Sequence, residues 1–221
     1  AITQDDEHPK GLLRVSAPLL SASGLDHMLL DFLERYPEVS LELIQSTLHE
    51  DLIEKNIDVA IRAGTELDPG LIARRIMTTD ARCVASPDYL AKHGTPKTPE
   101  DLDEHKCLLG FTRGERPATH WPRSDGTMLR VRGHLYAHDV LFLLQAARRG
   151  RGIAMLPRVI YEGALEAGEV VEVLADSLGI NHHIALVYVD REFLKPAVRA
   201  FIDFTVDWLE RHGDTIAGLR S

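Results

Sequence analysis

Short apolar runs and helical periodicity alternate along the first part of the chain. The runs at 12–17, 39–45 and 58–62 predict buried strands. Between the first two, apolar residues recur three and four positions apart, which predicts an amphipathic helix over 25–35 that ends before Pro37. Strands that alternate with helices in this way indicate a parallel sheet with right-handed crossovers.

Two further segments complete the predicted first lobe and the connection that leaves it. A short helix is predicted over 49–56, with Ser46 or Thr47 as its N-cap. The stretch at 71–85 is mixed in polarity and too long for an ordinary strand of about 5–6 residues. We interpret it as a connection that carries the chain from one sheet into another. The pattern therefore predicts two lobes, with a cleft beside this crossover.

The remaining pattern predicts a second α/β lobe and a long C-terminal helix. Trp121, in a loop rich in Gly, Pro, Arg and Ser, is large enough to need a buried surface. We expect the C-terminal helix, from Pro196 to His212, to return to the first lobe. The elements predicted between these parts are a helix at 86–94, a strand at 107–111, a loop at 112–127, one half-exposed strand at 129–136, a helix at 140–149 with Asp139 as its N-cap, a strand at 152–157, a helix at 158–166 and strands at 170–174 and 184–189.

Composition and charge narrow the function. Hydrophobic residues make up 44% of the chain and charged residues 27%, as in ordinary soluble globular proteins. No apolar run approaches the roughly 20 residues of a membrane-spanning helix. The net charge of -9 argues against this chain binding nucleic-acid phosphates by itself. Cys83 and Cys107 look like reduced thiols. The polar start, without Met or a signal peptide, leaves a mature exported protein or a piece of a longer cytoplasmic chain.

Local motifs for catalysis and metal binding are missing from the sequence. His49 and Glu50 begin like a zincin helix, but the second His of that motif would fall at Ile53. We interpret the adjacent His182 and His183 as surface residues that precede a strand. Neither a nucleophile elbow nor a phosphate loop occurs. We expect no catalytic residue, no metal and no cofactor, although a triad built from distant positions would leave no local motif.

A series of segments then points to one protein family by their order and spacing. They are LLRVSAP (12–18), FLERYPEVSLEL (32–43), DLIEKNIDVAIRAG (51–64), LIARRI (71–76), CVASPDYLAKHGTPKTPEDLDEHKCL (83–108), Trp121, ARRGRGIAMLP (147–157), LEAGEVVEVL (165–174) and PAVRAFIDF (196–204). Together they resemble the C-terminal effector-binding domain of LysR-type transcriptional regulators. The resemblance covers nearly the whole chain from Gly11 to His212.

The resemblance implies an α/β fold of two Rossmann-like subdomains joined by two crossover strands, like that of type 2 periplasmic binding proteins. It places subdomain I at 11–82 and 185–212 and subdomain II at 83–184, with a linker at 1–10 and a tail at 213–221. It also implies that an N-terminal winged helix-turn-helix, which would bind DNA, lies outside this chain. The acidic balance of the chain agrees with that division.

By position, the resemblance implies an effector site between the lobes. Its residues would be Leu20, Ser21, Ser23, Ser46, Thr47, Arg62 and Gly64 in the first lobe, and Phe111, His138, Asp139 and Pro157 in the second. Hydroxyls and free amides at helix starts are good carboxylate donors. Each residue also has a structural alternative. The Ser and Thr residues would be helix caps, Arg62 would pair within its lobe, His138 and Asp139 would be a cap and its neighbour, and Phe111 and Pro157 would be packing.

The implied function is metabolite sensing without catalysis in a bacterial, cytoplasmic regulator. The effector would be a small carboxylate or aromatic compound, and DNA would be bound only by the missing domain. The family forms a homodimer through this domain, and a tetramer at full length. The helix at 25–35 and the second strand of one copy would meet the helix at 140–149 of another. A free-standing solute-binding protein of a transporter is the alternative, and an enzyme on the same fold is a third possibility.

Overall fold

The structure is a computed structural model that describes residues 8–18, 25–45, 51–63, 69–110, 117, 119–189 and 194–212. Its helices are α1 (Leu25–Arg35), α2 (Pro87–His93), α3 (Val140–Arg148), α4 (Arg158–Glu166) and α5 (Pro196–His212), with a 3₁₀ helix at Pro99–Glu104. Its strands are β1 (Gly11–Ala17), β2 (Val39–Gln45), β3 (Val59–Ala63), β4 (Leu71–Ala85), β5 (Cys107–Gly110), β6 (His120–Pro122), β7 (Met128–Arg130), β8 (Gly133–Ala137), β9 (Ile153–Pro157), β10 (Val171–Val173) and β11 (Ile180–Val189).

The chain forms two compact units. Unit 1 comprises Ala1–Thr78 and His183–Ser221, and unit 2 comprises Thr79–His182. The chain passes from unit 1 to unit 2 within β4 and returns within β11, which are neighbours in the strand order. Both of the subdomain boundaries expected from the sequence lie in these same two strands. The run at 71–85, which we judged too long for one ordinary strand, is a single strand of 15 residues that carries the chain from unit 1 into unit 2.

Unit 1 is a layered α/β unit with a mostly parallel sheet. Its strand order is β2-β1-β3-β11, with β1, β2 and β3 parallel and β11 antiparallel to β3. Helices α1 and α5 pack together through Phe32 and Phe201, whose rings meet edge to face at 5.1 Å. Nε1 of Trp208 on α5 donates to Oδ2 of Asp31 on α1 at 2.6 Å. The expected return of the C-terminal helix to the first lobe is confirmed.

Unit 2 is also α/β, with strand order β4-β9-β5-β8 and β10 beside β4. Strands β5, β8 and β9 are parallel, and β4 runs antiparallel to β9. Helices α3 and α4 contact β9 and each other. A second apolar core contains Trp121, Cys83, Cys107 and Leu109 among other buried residues. The prediction that Trp121 needs a buried surface is therefore confirmed.

The stretch predicted as a loop at 112–127 and one strand at 129–136 is organised differently. Residues 120–122 form β6, which pairs with β7, whereas β8 pairs with β5. Because β7 and β8 have hydrogen-bond partners in different sheets, the chain bends between them at Val131 and Arg132. Val131 is buried, and its N–H donates to the carbonyl of Thr119 at 2.8 Å. The single-strand prediction was therefore wrong.

Two other boundaries also differ from the prediction. The described part of the predicted helix at 49–56 is a series of turns, in which Oδ1 of Asp51 accepts from the N–H groups of Ile53 and Glu54. Asn56 then takes a φ of 52°, which a helix cannot continue. At the other end, β11 begins at Ile180, so His182 and His183 lie within the strand and are partly buried rather than preceding it at the surface.

Candidate functional site

In unit 1 the carboxyl ends of three parallel strands lie at one edge of the sheet. Ala17 of β1 is level with Gln45 of β2, and Ser16 is level with Ala60 of β3. Ligands of open α/β sheets bind at such edges. The sequence-predicted residues that follow these strands lie outside the described residues; they are Leu20, Ser21, Ser23, Ser46, Thr47 and Gly64.

Arg62 is the predicted residue of unit 1 whose position is described. It lies at the carboxyl end of β3, opposite Ala185 of β11, and is partly buried. Successive side chains of a strand point to opposite faces, so Arg62 lies on the face of Ala60. That face packs with Leu52, Ala185 and Val187. A guanidinium therefore stands at the carboxyl edge of this sheet, beside a small apolar cluster.

Unit 2 has an equivalent edge of its own. The parallel strands β9, β5 and β8 end there at Pro157, Gly110 and Ala137. His138 and Asp139 follow β8 directly, and Phe111, which follows β5, lies outside the described residues. Two strand spacings separate β8 from β9, roughly 10 Å. The structure thus brings His138, Asp139 and Pro157 to one edge, on opposite sides of β5.

Asp139 has a structural task at this edge. Its Oδ1 accepts from the backbone N–H groups of Leu141 at 2.9 Å and Phe142 at 3.2 Å, which makes it the N-cap of α3. The predicted cap is confirmed. Both Asp139 and its neighbour His138 are exposed, so solvent reaches them. The amino terminus of α3 is therefore ordered and accessible, with its first free amides already partly satisfied by Asp139.

A charged cluster at the same edge was missed by the sequence analysis. We call it the Asp80 cluster, and its members are Asp80, Arg82, Arg158, Tyr161 and Glu172. Oδ1 and Oδ2 of Asp80 lie 2.9 Å from Arg158 Nε and 3.1 Å from Arg82 Nη2. Glu172 Oε1 accepts from Arg158 Nη2 at 2.8 Å and from the hydroxyl of Tyr161 at 2.7 Å. Asp80 adjoins Ala81, which pairs with Pro157, so the cluster lies beside the end of β9.

Burial and pairing fix the protonation states of the Asp80 cluster. Burial alone would lower the pKa of Arg158, but its hydrogen bond to Asp80 and the neighbouring negative groups raise that pKa above its ordinary value. Burial, followed by the hydrogen bond to Glu172, also raises the pKa of Tyr161. The guanidinium stays charged and the phenol stays a donor at neutral pH. The cluster is thus a mutually satisfied ion network, without a nucleophile placed next to a base.

Among the residues that the structure describes, no three His, Cys, Asp or Glu side chains are grouped to hold a metal ion. Cys83 and Cys107 are both buried and unpaired with each other. None of the helices in the described ranges is both long and apolar enough to cross a membrane.

Comparison with known proteins identifies the family. The profile described as the LysR substrate binding domain matches residues 6–210. The chain belongs to this family. It is 35% identical over 216 residues to the HTH-type transcriptional regulator CrgA of Neisseria meningitidis serogroup C (strain 8013), covering 96% of this chain and 71% of CrgA. An HTH-type transcriptional regulator of Xanthomonas campestris pv. campestris (strain 8004) is 30% identical over 222 residues. The match covers 97% of this chain and 64% of that regulator.

Solved structures agree with the sequence comparison. The regulatory domain of CrgA, a LysR-type transcriptional regulator from Neisseria meningitidis, matches with a TM-score of 0.79 at 33% identity, covering 91% of this chain and all of that domain. The full-length virulence activator AphB of Vibrio cholerae, of the same protein family, matches with a TM-score of 0.79 at 33% identity, covering 90% of this chain and 69% of AphB. This LysR domain therefore has the type 2 periplasmic-binding-protein-like fold, and the resemblance inferred from its segments is confirmed.

Membership of the LysR family gives the domain its general role. It is the effector-binding domain of a LysR-type transcriptional regulator. Its named relatives are regulators of transcription, which are not enzymes. The chain spans 71% of CrgA, which is an HTH-type transcriptional regulator.

Proposed function

We propose that this LysR domain binds a small carboxylate or aromatic metabolite in a cleft between its two units and so controls DNA binding by the full-length protein. The observation that carries the proposal is that each unit contains three parallel strands whose carboxyl ends form an edge. Such edges are the usual ligand sites of open α/β sheets. Counted along the sequence, the predicted effector residues lie within a strand that ends at one of these edges or within six positions after it.

The chemistry of the proposed site favours an anion. Arg62 supplies a guanidinium, a planar donor suited to carboxylates. Ser21, Ser23, Ser46 and Thr47 would add hydroxyl donors next to helix starts, where free amides also attract negative charge. Phe111 and Pro157 would contact the apolar body of the ligand. An effector that binds one arrangement of the two units better than another would shift their population, and with it the spacing of the DNA-binding domains.

The proposed coupling to DNA also requires an oligomer, and the surface supports one. Leu30 on α1 is 63% exposed and Phe142 on α3 is 52% exposed, while Leu43 on β2 and Leu141 on α3 are exposed as well. Strand β2 is the last strand at one end of the unit 1 order, and β8 is the last strand at one end of the unit 2 order. We propose that α1 and β2 of one copy contact α3 of another, in a head-to-tail homodimer that forms tetramers at full length. Such a regulator would act in the cytoplasm.

A thermal-shift screen of the 221-residue chain tests the ligand proposal. A panel of small carboxylates and aromatic acids should contain a compound that raises the melting temperature, since a ligand at 100 times its Kd adds about 2.7 kcal/mol. Calorimetry of that compound with Arg62→Gln, and with Ser46→Ala plus Thr47→Ala, should show at least about tenfold weaker binding, as expected for lost charged hydrogen bonds.

The exposed Arg151, outside the predicted site, provides a matched control. Arg151→Gln should bind the compound as the wild type does. Equal affinity of all four proteins would contradict the proposed site. A free-standing solute-binding protein is not favoured, because the named relatives are transcriptional regulators.

A further inference from the structure

A groove in unit 2 lies apart from the strand ends that form the proposed effector site. We call it the hairpin groove. It has a volume of about 480 Å³ and lies between the β6–β7 hairpin, the segment that joins β10 to β11, and Arg82 of β4. Cavities of roughly 300–1,000 Å³ suit small organic ligands. None of the eleven predicted effector residues lines it.

Hydrogen bonds hold the two walls of the hairpin groove in place. Ser124, in the hairpin turn, donates from its N–H to the carbonyl of Ser177 at 3.0 Å and from its hydroxyl to the carbonyl of Asp176 at 2.8 Å. The N–H of Gly179 donates back to the carbonyl of Pro122 at 3.0 Å. The hairpin is thus fastened to the facing segment at the end of β6 and in the turn, and the groove is formed before any ligand arrives.

Arg82 forms the floor of the groove in a fixed orientation. Its Nη1 donates to the carbonyls of Ala81 at 2.9 Å and Ile180 at 3.3 Å, and its Nη2 donates to Oδ1 of Asn181 at 3.1 Å. A Cβ at Gly179 would lie 2.6 Å from Nη1, so only glycine allows the guanidinium to lie there. Since the amide oxygen of Asn181 is held by Arg82, the NH₂ of that amide is its remaining hydrogen-bonding group.

The groove combines an apolar wall with a second cation. Met128 is 56% exposed and Ile180 is also exposed, although both are large hydrophobic residues. Arg123 stands at the turn, 2.6 Å from Glu100, whose side chain is 66% exposed. An ion pair with such an exposed partner contributes about 0–1 kcal/mol to stability. The Arg123 guanidinium can therefore bind a further anion at little energetic cost. The lining of the groove therefore combines a cation and hydrogen-bond donors with exposed apolar side chains.

We propose that the hairpin groove is a second small-molecule site, for an amphipathic monocarboxylate. The carboxylate would accept from Arg123 and from the amide NH₂ of Asn181, and the hydrocarbon part would cover Met128 and Ile180. A fork-shaped guanidinium matches a carboxylate with two parallel hydrogen bonds. The site is independent of the effector site proposed above and shares no residue with it.

Methionine-methyl NMR of the 221-residue chain tests this proposal directly. The chain has four methionines, and of these Met28 and Met77 are buried. Titration with 4-phenylbutyrate should shift the Met128 methyl signal saturably while the signals of Met28 and Met77 stay in place. The neutral amide 4-phenylbutanamide, and the variant Arg123→Gln with 4-phenylbutyrate, should each bind at least about fivefold more weakly, as loss of a charged hydrogen bond predicts.

The controls separate this site from the other one. Arg151→Gln and Arg62→Gln should both bind 4-phenylbutyrate at the Met128 signal as the wild type does. A Met128 shift that does not saturate, or equal affinity for the acid, the amide and Arg123→Gln, would overturn the proposal. Failure of the effector proposal would instead appear as unchanged effector affinity in Arg62→Gln, with the Met128 response intact.

Discussion

Nε of Arg158 donates to Oδ1 of Asp80 at 2.9 Å, across 78 positions of the sequence. The same guanidinium contacts Glu172, so one side chain at the start of α4 joins β4 to β10. Both carboxylates and the guanidinium are mostly buried. Because a buried charge without its partner is costly, these three residues depend on one another for their contribution to stability.

Removing Arg158 should therefore destabilise the domain. Arg158→Ala leaves the mostly buried Glu172 without its guanidinium and removes one of the two guanidinium partners of Asp80. We expect the free energy of unfolding to fall by about 2–3 kcal/mol. Arg158→Lys should recover only part of this loss, because a single ammonium cannot replace both arms of the fork. Denaturant unfolding followed by circular dichroism measures both values. The exposed control Arg151→Ala should stay within about 0.5 kcal/mol of wild type, and an equally small effect of Arg158→Ala would contradict the prediction.

The Asp80 cluster also shows why the sequence could not reveal the whole site. Nothing local marks Asp80 or Arg158 as partners, since Asp80 lies in a stretch of mixed polarity and Arg158 follows an apolar run, as many surface residues do. Their contact depends on the register between β4 and β9, in which Ala81 faces Pro157. Periodicity predicts elements such as α1 and α5, because the information is local. It does not predict which distant charges are placed side by side.

The two thiols should be chemically silent in the native state. Burial, with some contribution from Asp103, raises the pKa of Cys107 to about 12, and burial also raises the pKa of Cys83. At pH 8 the thiolate fraction of Cys107 is then about 10⁻⁴, too small for reaction with a disulfide reagent. Ellman's reagent should label both cysteines in denaturant and neither in the native chain. Arg151→Cys should react at once, and rapid labelling of the native wild type would contradict the prediction.

The same shift gives a pH dependence of stability. Unfolded thiols titrate near 9 and folded Cys107 near 12, so the native state holds more protons between these values. Its contribution to stability is complete below pH 9 and is lost as the pH rises toward 12. Between pH 8 and pH 10.5, the free energy of unfolding should decrease more steeply for the wild type than for Cys107→Ala.

His105 should give stability a pH dependence of the opposite sign. The hydroxyl of Tyr89 accepts from the N–H of Lys106 at 2.9 Å and lies within hydrogen-bond distance of Nδ1 of His105, at 3.2 Å. Burial, with repulsion from His93, lowers the pKa of His105 below the ordinary 6.5. The native state therefore holds fewer protons just below pH 6.5, and stability falls as the pH decreases through that range. Histidine NMR titration should give His105 a midpoint below 6.5, and a midpoint at or above 6.5 would contradict this.

The effector residues illustrate a second limit of sequence reasoning. Their positions come from resemblance to a family. In the structure, Arg62, His138, Asp139 and Pro157 lie at the carboxyl ends of strands. Resemblance transfers positions rather than contacts, so the capping bonds of Asp139 had to come from the geometry of α3. The sequence predicts one strand where the structure has β7 and β8 for a related reason. Alternation of apolar residues does not reveal where a chain changes its partner strand.

The proposed dimer contact gives a sharp test at Phe142. This residue occupies the third position of α3, where a glutamate is favourable to the helix because of its dipole and free amides. Phe142→Glu should therefore leave the stability of the monomer nearly unchanged while it places a charge in the contact between copies. Burying an unpaired charge costs about 3 kcal/mol or more, so the dimer dissociation constant should rise at least about 100-fold by sedimentation equilibrium. Ile53→Glu makes the same kind of change at an exposed aliphatic residue in the 51–56 turns and should dimerise like the wild type. If Phe142→Glu also dimerises like the wild type, α3 is not part of the contact. If both variants dissociate alike, the effect reflects added negative charge on a chain that already carries a net charge of -9.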